Sequence, residues 1–440
     1  MMDRLQAGWA RRDITPPVGI HMGGYWGRSS GATGIHDPLY ARLLAWTDGT
    51  VTAVLISLDV VALAPAWVAR IRRQVSAVVP GTAEDTILVS CTHTHAGPLT
   101  LNFRGMGDVD GTYLQQICER VCECAREAAA SFADAQLAYA RASVQIGINR
   151  RQARAGAVVI GENPQGAVAP HAHVLTVHTT EGQAVIFQHA CHPVVLGNSN
   201  HVLSADFPGA ACAEVERRMG GAFSMFVNGA AGDINPRGSD GSFAAVANLG
   251  QELGVAVAFA AQSAQTLKAS PVVARSHRLD LPLMPPPPSV RAATERVMQG
   301  LKVALKSMSA AGEWSQRVPK AQLEWSRAWL ETARNPQPAE TQTFEIQGLR
   351  LGGLTWLGME GEIFVRYQLD IEAAAAAPVV LCGYANGCIG YVPTQEEYER
   401  GGYEVDEAFK VYPSVLMIAP ESDSMIRQAV TALLAHLEAD

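Results

Sequence analysis

The chain has 440 residues, 48% apolar and 17% charged, enough hydrophobic material for a sizeable core and a composition that excludes a disordered polymer. A formal net charge of −8 leaves no basic footprint for nucleic acid, and no Lys/Arg block points to an anionic membrane. The opening MMDRLQAGWARRDITPPVGI lacks an apolar stretch of signal-peptide length, and no uninterrupted apolar run long enough to span a bilayer follows, so a cytoplasmic location without membrane insertion is expected.

In chain order, VTAVLISLDVVAL reads as a buried strand, PAWVARIRRQVSAVV as an amphipathic helix and TILVSCTHTH as a second strand, together a βαβ unit. Residues 111–132 predict a long helix in which Cys118 and Cys122 share a face that Cys124 leaves. The eight cysteines therefore read as free, buried thiols rather than a metal or disulfide framework. Runs at 135–147 and 173–190 predict further strands, followed by a polar loop from His192 to Pro208, a helix over 209–219, the short strand AFSMFVN and a helix near 243–266. PPPPSV at 285–290 marks a linker or surface crossing. Helices near 289–306 and 318–333 then predict a helical insertion or cap at 285–340. From Phe344 the β pattern returns, with a helix, the strand PVVLCGY and a final helix near 422–438. This alternation predicts an α/β fold: one three-layer domain over 1–440, its mixed β-sheet core flanked by helices.

Four segments carry chemistry, each where an apolar strand runs into a polar or glycine-rich loop. In Thr92-His93-Thr94-His95-Ala96-Gly97-Pro98 the two histidines stand at i and i+2, on one side of an extended chain, where they can share a metal or a substrate; two satisfied histidines would look the same. In His189-Ala190-Cys191-His192-Pro193 the two imidazoles cannot face one side of a regular strand. His192, at the strand end, is the better ligand, and His189 reads as a packed neighbour. Asp206, next to a helix start, is either an N-terminal helix charge or a support to the site. The turn Asn228-Gly229-Ala230-Ala231-Gly232-Asp233-Ile234-Asn235-Pro236 could aim amides at an anion or simply connect two elements. Glu360-Gly361-Glu362 and Asn386-Gly387-Cys388-Ile389-Gly390-Tyr391 complete the set.

The order of DITPP, MGGY, GIHDPLYAR, THTHAGP, the CHP element, NGAAGDINP, EGE and GYVPTQEEYERGGYE, running from about residue 7 to 406, resembles the neutral, non-lysosomal ceramidase family. The resemblance implies that His93, His192, Glu362 and Tyr391 hold Zn2+, that His95 faces the substrate carbonyl, and that Arg150 of INR lies at the rim or just behind the ligands. Two imidazoles, a carboxylate and a phenol oxygen suit zinc, which accepts N and O donors. Asn235 replaces a serine of the family, so a side-chain nucleophile loses support; Asn235 is left to donate a hydrogen bond to the carbonyl or to hold its turn. Glu360 and Cys388 also depart from the pattern, and the lipid-active members carry an immunoglobulin-like C-terminal domain that is not expected in this sequence.

The resulting expectation is a zinc-dependent hydrolase that cleaves an amide bond of a small soluble, cyclic or N-acylated substrate by metal-activated water. Ceramide or another N-acyl lipid amide is the runner-up substrate. An esterase or lactonase on the same zinc site, and a non-catalytic metal-binding scaffold, are the remaining alternatives. The general base is not assigned, and a homo-oligomer remains open.

Overall fold

The strand Thr52–Leu58 is buried at every position. A continuous apolar run of this kind needs cover on both faces and partners along both edges. In the computed structural model, which describes residues 5–268, 270–308, 312–334 and 340–439, it has both. It pairs antiparallel with Tyr40–Thr47 and parallel with Ile87–Cys91, in a five-stranded sheet completed by Gln6–Asp13 and Ala133–Asp134. A second five-stranded sheet runs in the order Phe223–Asn228, Gly182–His189, His171–Thr179, Gln136–Ser143, Gln265–Thr266. A third, of four strands, holds Val272–Pro282, Thr341–Leu351, Leu354–Met359 and Val379–Cys382.

The architecture is mixed α/β, with its mixed character repeated in each of these sheets. Every one combines antiparallel pairs with one parallel pair, and the outer strand of that pair is Ile87–Cys91, Phe223–Asn228 or Val379–Cys382. Trp46, Ile186 and Trp356, one from each sheet, belong to one buried apolar cluster, so the sheets close on a common interior. Where the three parallel edge strands end they bond to one another: Asn228 Nδ2 donates to the Thr92 carbonyl (3.0 Å), Gly383 N to the Asn228 carbonyl (3.1 Å) and Cys91 N to the Tyr384 carbonyl (3.2 Å). Loops that follow parallel strands in α/β proteins collect functional groups. Here three such loops are brought to one place.

Helices pack outside the sheets. Gly111–Ala130 starts where Asp110 accepts hydrogen bonds from the amides of Thr112 and Tyr113. Phe243–Gln262 is long and apolar enough, by length and composition, to cross a membrane, yet half of it is buried and it packs along helix Asp206–Arg218. All eight cysteines are free and buried, as the helix pattern indicated.

Several boundaries differ from the sequence reading. The helix expected over 209–219 begins at Asp206, because Pro208 falls in its first turn, where a missing N–H costs nothing. The same tolerance lets the proline run end in a helix, Pro288–Ser307, rather than in a surface crossing. It packs against Glu313–Arg334, so two helices occupy 285–340; residues 309–311 and 335–339 of that stretch lie outside the described residues. The helix expected to 266 stops at Gln262, and Gln265–Thr266 joins the second sheet.

Candidate metal centre

His93 lies just beyond strand Ile87–Cys91 with φ of +68°, a left-handed conformation uncommon for any residue but glycine. Its surroundings hold it there. The main-chain N–H bonds the Val60 carbonyl (3.0 Å), Nδ1 meets the Val61 carbonyl at 2.6 Å, and the ring stacks on Tyr384 with centroids 4.0 Å apart. His192, beyond strand Gly182–His189, is fixed the same way: N–H to the Ile234 carbonyl (3.0 Å) and Nδ1 to the Ala231 carbonyl (2.5 Å). Glu362 opens a short strand that pairs in parallel with Tyr391–Val392.

The glycine-rich turn serves this arrangement by close approach. A Cβ on Gly232 would sit 2.4 Å from the Glu362 carbonyl oxygen, and the Gly232 N–H bonds the Ile363 carbonyl at 2.8 Å. The amides of Gly229 and Ala230 are likewise taken by the His189 carbonyl and by Gln368 Oε1. Of the two readings of this turn, a connection packed against its neighbour describes it better than an anion cradle.

A carbonyl oxygen only accepts hydrogen bonds, so in both His93 and His192 the proton sits on Nδ1 and Nε2 is left with a lone pair. Both lone pairs converge on a carboxylate: His192 Nε2 is 2.9 Å and His93 Nε2 3.5 Å from Glu362 Oε2. All three side chains are buried. Burial pushes the His192 pKa down to about 4, which keeps it neutral. Burial acts to raise the Glu362 pKa, but the two imidazoles outweigh it and hold the carboxyl well below its usual range. Nitrogen lone pairs facing a carboxylate inside a protein need a proton or a cation between them, and imidazoles fixed through Nδ1 to main-chain carbonyls are suited to present Nε2 to a metal. The residues fit zinc.

His95 joins the cluster from the solvent side. Its Nε2 is 3.0 Å from His93 Nε2, and the candidate ligand nitrogens of His93, His95 and His192 all lie within 4.8 Å of one another. His95 is half-buried, whereas His93 and His192 are closed off. Burial, then the neighbouring His93 and His192, push its pKa well down, and its Nδ1 has no hydrogen-bond partner among the described residues. The ring packs edge-on to Tyr25, with centroids 5.0 Å apart.

Arg150, on strand Gly147–Arg154, ties the remaining groups together. Its Nε donates to Glu404 (2.8 Å), Nη2 to the Tyr391 hydroxyl (2.9 Å) and Nη1 to Asn235 Oδ1 (3.2 Å). Burial opposes its charge, but Tyr391 and Glu404 hold the guanidinium firmly protonated. Tyr391 thus meets the group through Arg150, while the phenol that bonds Glu362 directly is Tyr412. Asn235 accepts from Arg150 rather than holding its turn alone. His189 is the packed neighbour expected, its Nδ1 on the His171 carbonyl (3.1 Å). Asp206 is the first residue of its helix, with φ of +57°, and burial raises its carboxyl to about 7.

Sequence reasoning gave no role to Tyr384, Tyr403, Glu404 or Tyr412. Tyr403 and Glu404 stand in the quoted GGYE element and Tyr384 ends the predicted strand PVVLCGY; Tyr412 carries no local signal and is found only because the chain folds back. A polar cavity of about 530 Å³ borders Asn149, Arg151 and Asp233, behind this group, and none of the histidines lines it.

Residues 5–252 match the family described as neutral/alkaline non-lysosomal ceramidase, N-terminal. Over 91% of the chain it is 25% identical to the neutral ceramidase of Mycobacterium tuberculosis, covering 73% of that protein. Over 90% it is 24% identical to the neutral ceramidase of Pseudomonas aeruginosa, covering 68%. The fold matches the crystal structure of the Pseudomonas aeruginosa neutral ceramidase with a TM-score of 0.73 at 20% identity, over 99% of this chain and 74% of that one. A ceramidase complexed with C2 matches with a TM-score of 0.74 at 19% identity, over 99% and 75%. With more than half of its length, including His93, His95, Arg150, His192 and Asn235, inside the matched span, this chain belongs to the neutral/alkaline non-lysosomal ceramidase family.

Proposed function

We propose that the protein is a zinc-dependent hydrolase that cleaves the amide bond of a small, soluble, N-acylated or cyclic substrate. The observation that carries this reading is the pair of bare Nε2 atoms of His93 and His192 turned on the Glu362 carboxylate. Those three residues would hold the ion, with Tyr391 as the fourth candidate. Zinc, when bound, polarises a carbonyl and lowers the pKa of water towards about 7.

The chain's own groups account for the rest. His95, neutral and half-buried, hydrogen-bonds the substrate carbonyl or hands a proton to the departing nitrogen. Arg150, kept charged by Glu404, orients the Tyr391 hydroxyl and supplies fixed positive charge where the carbonyl oxygen becomes negative. Asn235 has no proton to lose at neutral pH, so its place beside Arg150 is one of orientation.

A second reading, an N-acyl lipid such as ceramide, is supported by the names of both curated relatives. It also gains from an apolar cavity of about 420 Å³ lined by Met284, Val290, Trp325, Trp329, Val405 and Phe409, whose last two residues follow Tyr403 closely in the chain. Turnover of short N-acyl amides against acyl-sphingosines in detergent separates the two. Cleavage of the lipid alone would reverse their order.

A further inference from the structure

A second convergence of imidazole and carboxylate lies apart from the residues above. Strand His171–Thr179 sets His171 and His173 on one face, and helix Val365–Ala374 brings Glu372 against them. His171 Nε2 is 3.0 Å from Glu372 Oε2 and His173 Nε2 is 2.9 Å from Oε1. The three ligand atoms lie within 4.8 Å of one another. Donors about 2.0–2.2 Å from a tetrahedral zinc are separated by roughly 3.3 Å, so a small closure or opening accommodates an ion.

The groups around the trio are arranged as supports. The Tyr139 hydroxyl is 2.7 Å from His173 Nδ1 and already accepts a hydrogen bond from Arg141 Nε (3.1 Å), so it can accept one from Nδ1–H as well and leave Nε2 to face Glu372. Gln368 Nε2 donates to Glu372 Oε1 (2.8 Å), and His189 Nδ1 bonds the main-chain oxygen of His171 (3.1 Å). Burial favours neutral His173. The competing cation, Arg141, reaches Glu372 only at 3.6 Å and with its side chain 46% exposed. His171 is 15% exposed, an entry path and room for solvent to complete the coordination.

We propose that His171, His173 and Glu372 form a second, structural site for zinc or a divalent ion of similar preference, clamping helix Val365–Ala374 to the second sheet. The clamp has a route to the first centre. Glu362 lies just before this helix, and Gln368 on it holds the amide of Ala230 (3.1 Å), next to the Ala231 carbonyl that fixes His192.

The test is metal counting on the full chain, stripped with chelator, dialysed against zinc and measured by mass spectrometry of the metal. Two ions per chain are expected in the wild type. One is expected in Glu372→Gln and one in His173→Ala, with the remaining ion lost when His93→Ala is added. His93→Ala alone should keep one ion and a zinc-dependent rise in Tm, and the His93→Ala/Glu372→Gln double variant should lack both. An equal zinc content in the wild type and Glu372→Gln would overturn the proposal. So would a wild type holding a single ion that His93→Ala removes, a measurement that needs no variant of the second site to fold. Because each site is deleted separately, failure of the second leaves the reading of the first intact, and the reverse.

Discussion

Tyr412 donates its hydroxyl proton to Glu362, across 50 residues of chain, and so holds one carboxylate oxygen while the other faces His93 and His192. Outer groups of this kind commonly tune metal affinity or activity by about 10- to 100-fold. Tyr412→Phe should therefore weaken zinc binding or lower kcat/KM within that range while preserving the fold. Zinc competition titration with circular dichroism checks this, and an unchanged affinity and rate would remove Tyr412 from the centre.

The two histidines of THTH should separate cleanly. His93 points a pinned Nε2 at Glu362, whereas His95 lies on the solvent side. His93→Ala should lose zinc at this centre and activity together. His95→Ala should keep zinc and lose about 100-fold or more in rate. Metal content and single-turnover rates of both variants decide the matter; equal metal loss would contradict the assignment.

Arg150 holds three partners at once, which a lysine ammonium on a flexible stem cannot reproduce. Arg150→Lys should reduce kcat by roughly 100-fold. Arg150→Ala should in addition cost about 3–5 kcal/mol of stability, since it strips one of two guanidinium partners from buried Glu404. Denaturant unfolding distinguishes the two variants.

Asp206 predicts a pH dependence of stability. Its folded pKa of about 7 lies above the ordinary aspartate value, so between about pH 4 and 7 the native chain binds more protons than the unfolded chain. Its contribution is complete below that window, falls as pH rises through it and is flat above. Asp206→Asn, which also suits the left-handed backbone, should match the wild type near pH 4 and exceed it at pH 8 by up to about 4 kcal/mol. Unfolding curves at the two pH values check the sign.

Much of this was legible in the sequence because strand ends are. Continuous apolar runs located the strands before His93, His192 and Glu362, and the glycines of 229–232 marked a turn, although not the close approach to the Glu362 segment that it makes. What stayed hidden depends on contacts between distant segments. Tyr412 reaches the centre through an irregular segment without periodicity, and Tyr384, at the end of the predicted strand PVVLCGY, gave no sign of the ring it would stack on. His173 looked like the start of an ordinary strand and His171 lay just before it, because their partner Glu372 lies 201 and 199 residues away on a helix. The division of the strands among several separate sheets was equally illegible, since local pattern specifies a strand but not which edge receives it.

In the proposed reaction, zinc held by His93, His192 and Glu362 drives amide cleavage. The most direct measurement takes the purified chain, removes metal with a chelator, and follows hydrolysis of a panel of N-acyl and cyclic amides before and after zinc is restored. The account predicts amide turnover that vanishes on stripping, returns with zinc, and does not return in His192→Ala. Undiminished turnover by the metal-free protein, or an acyl group trapped on one of its side chains during turnover, would contradict it.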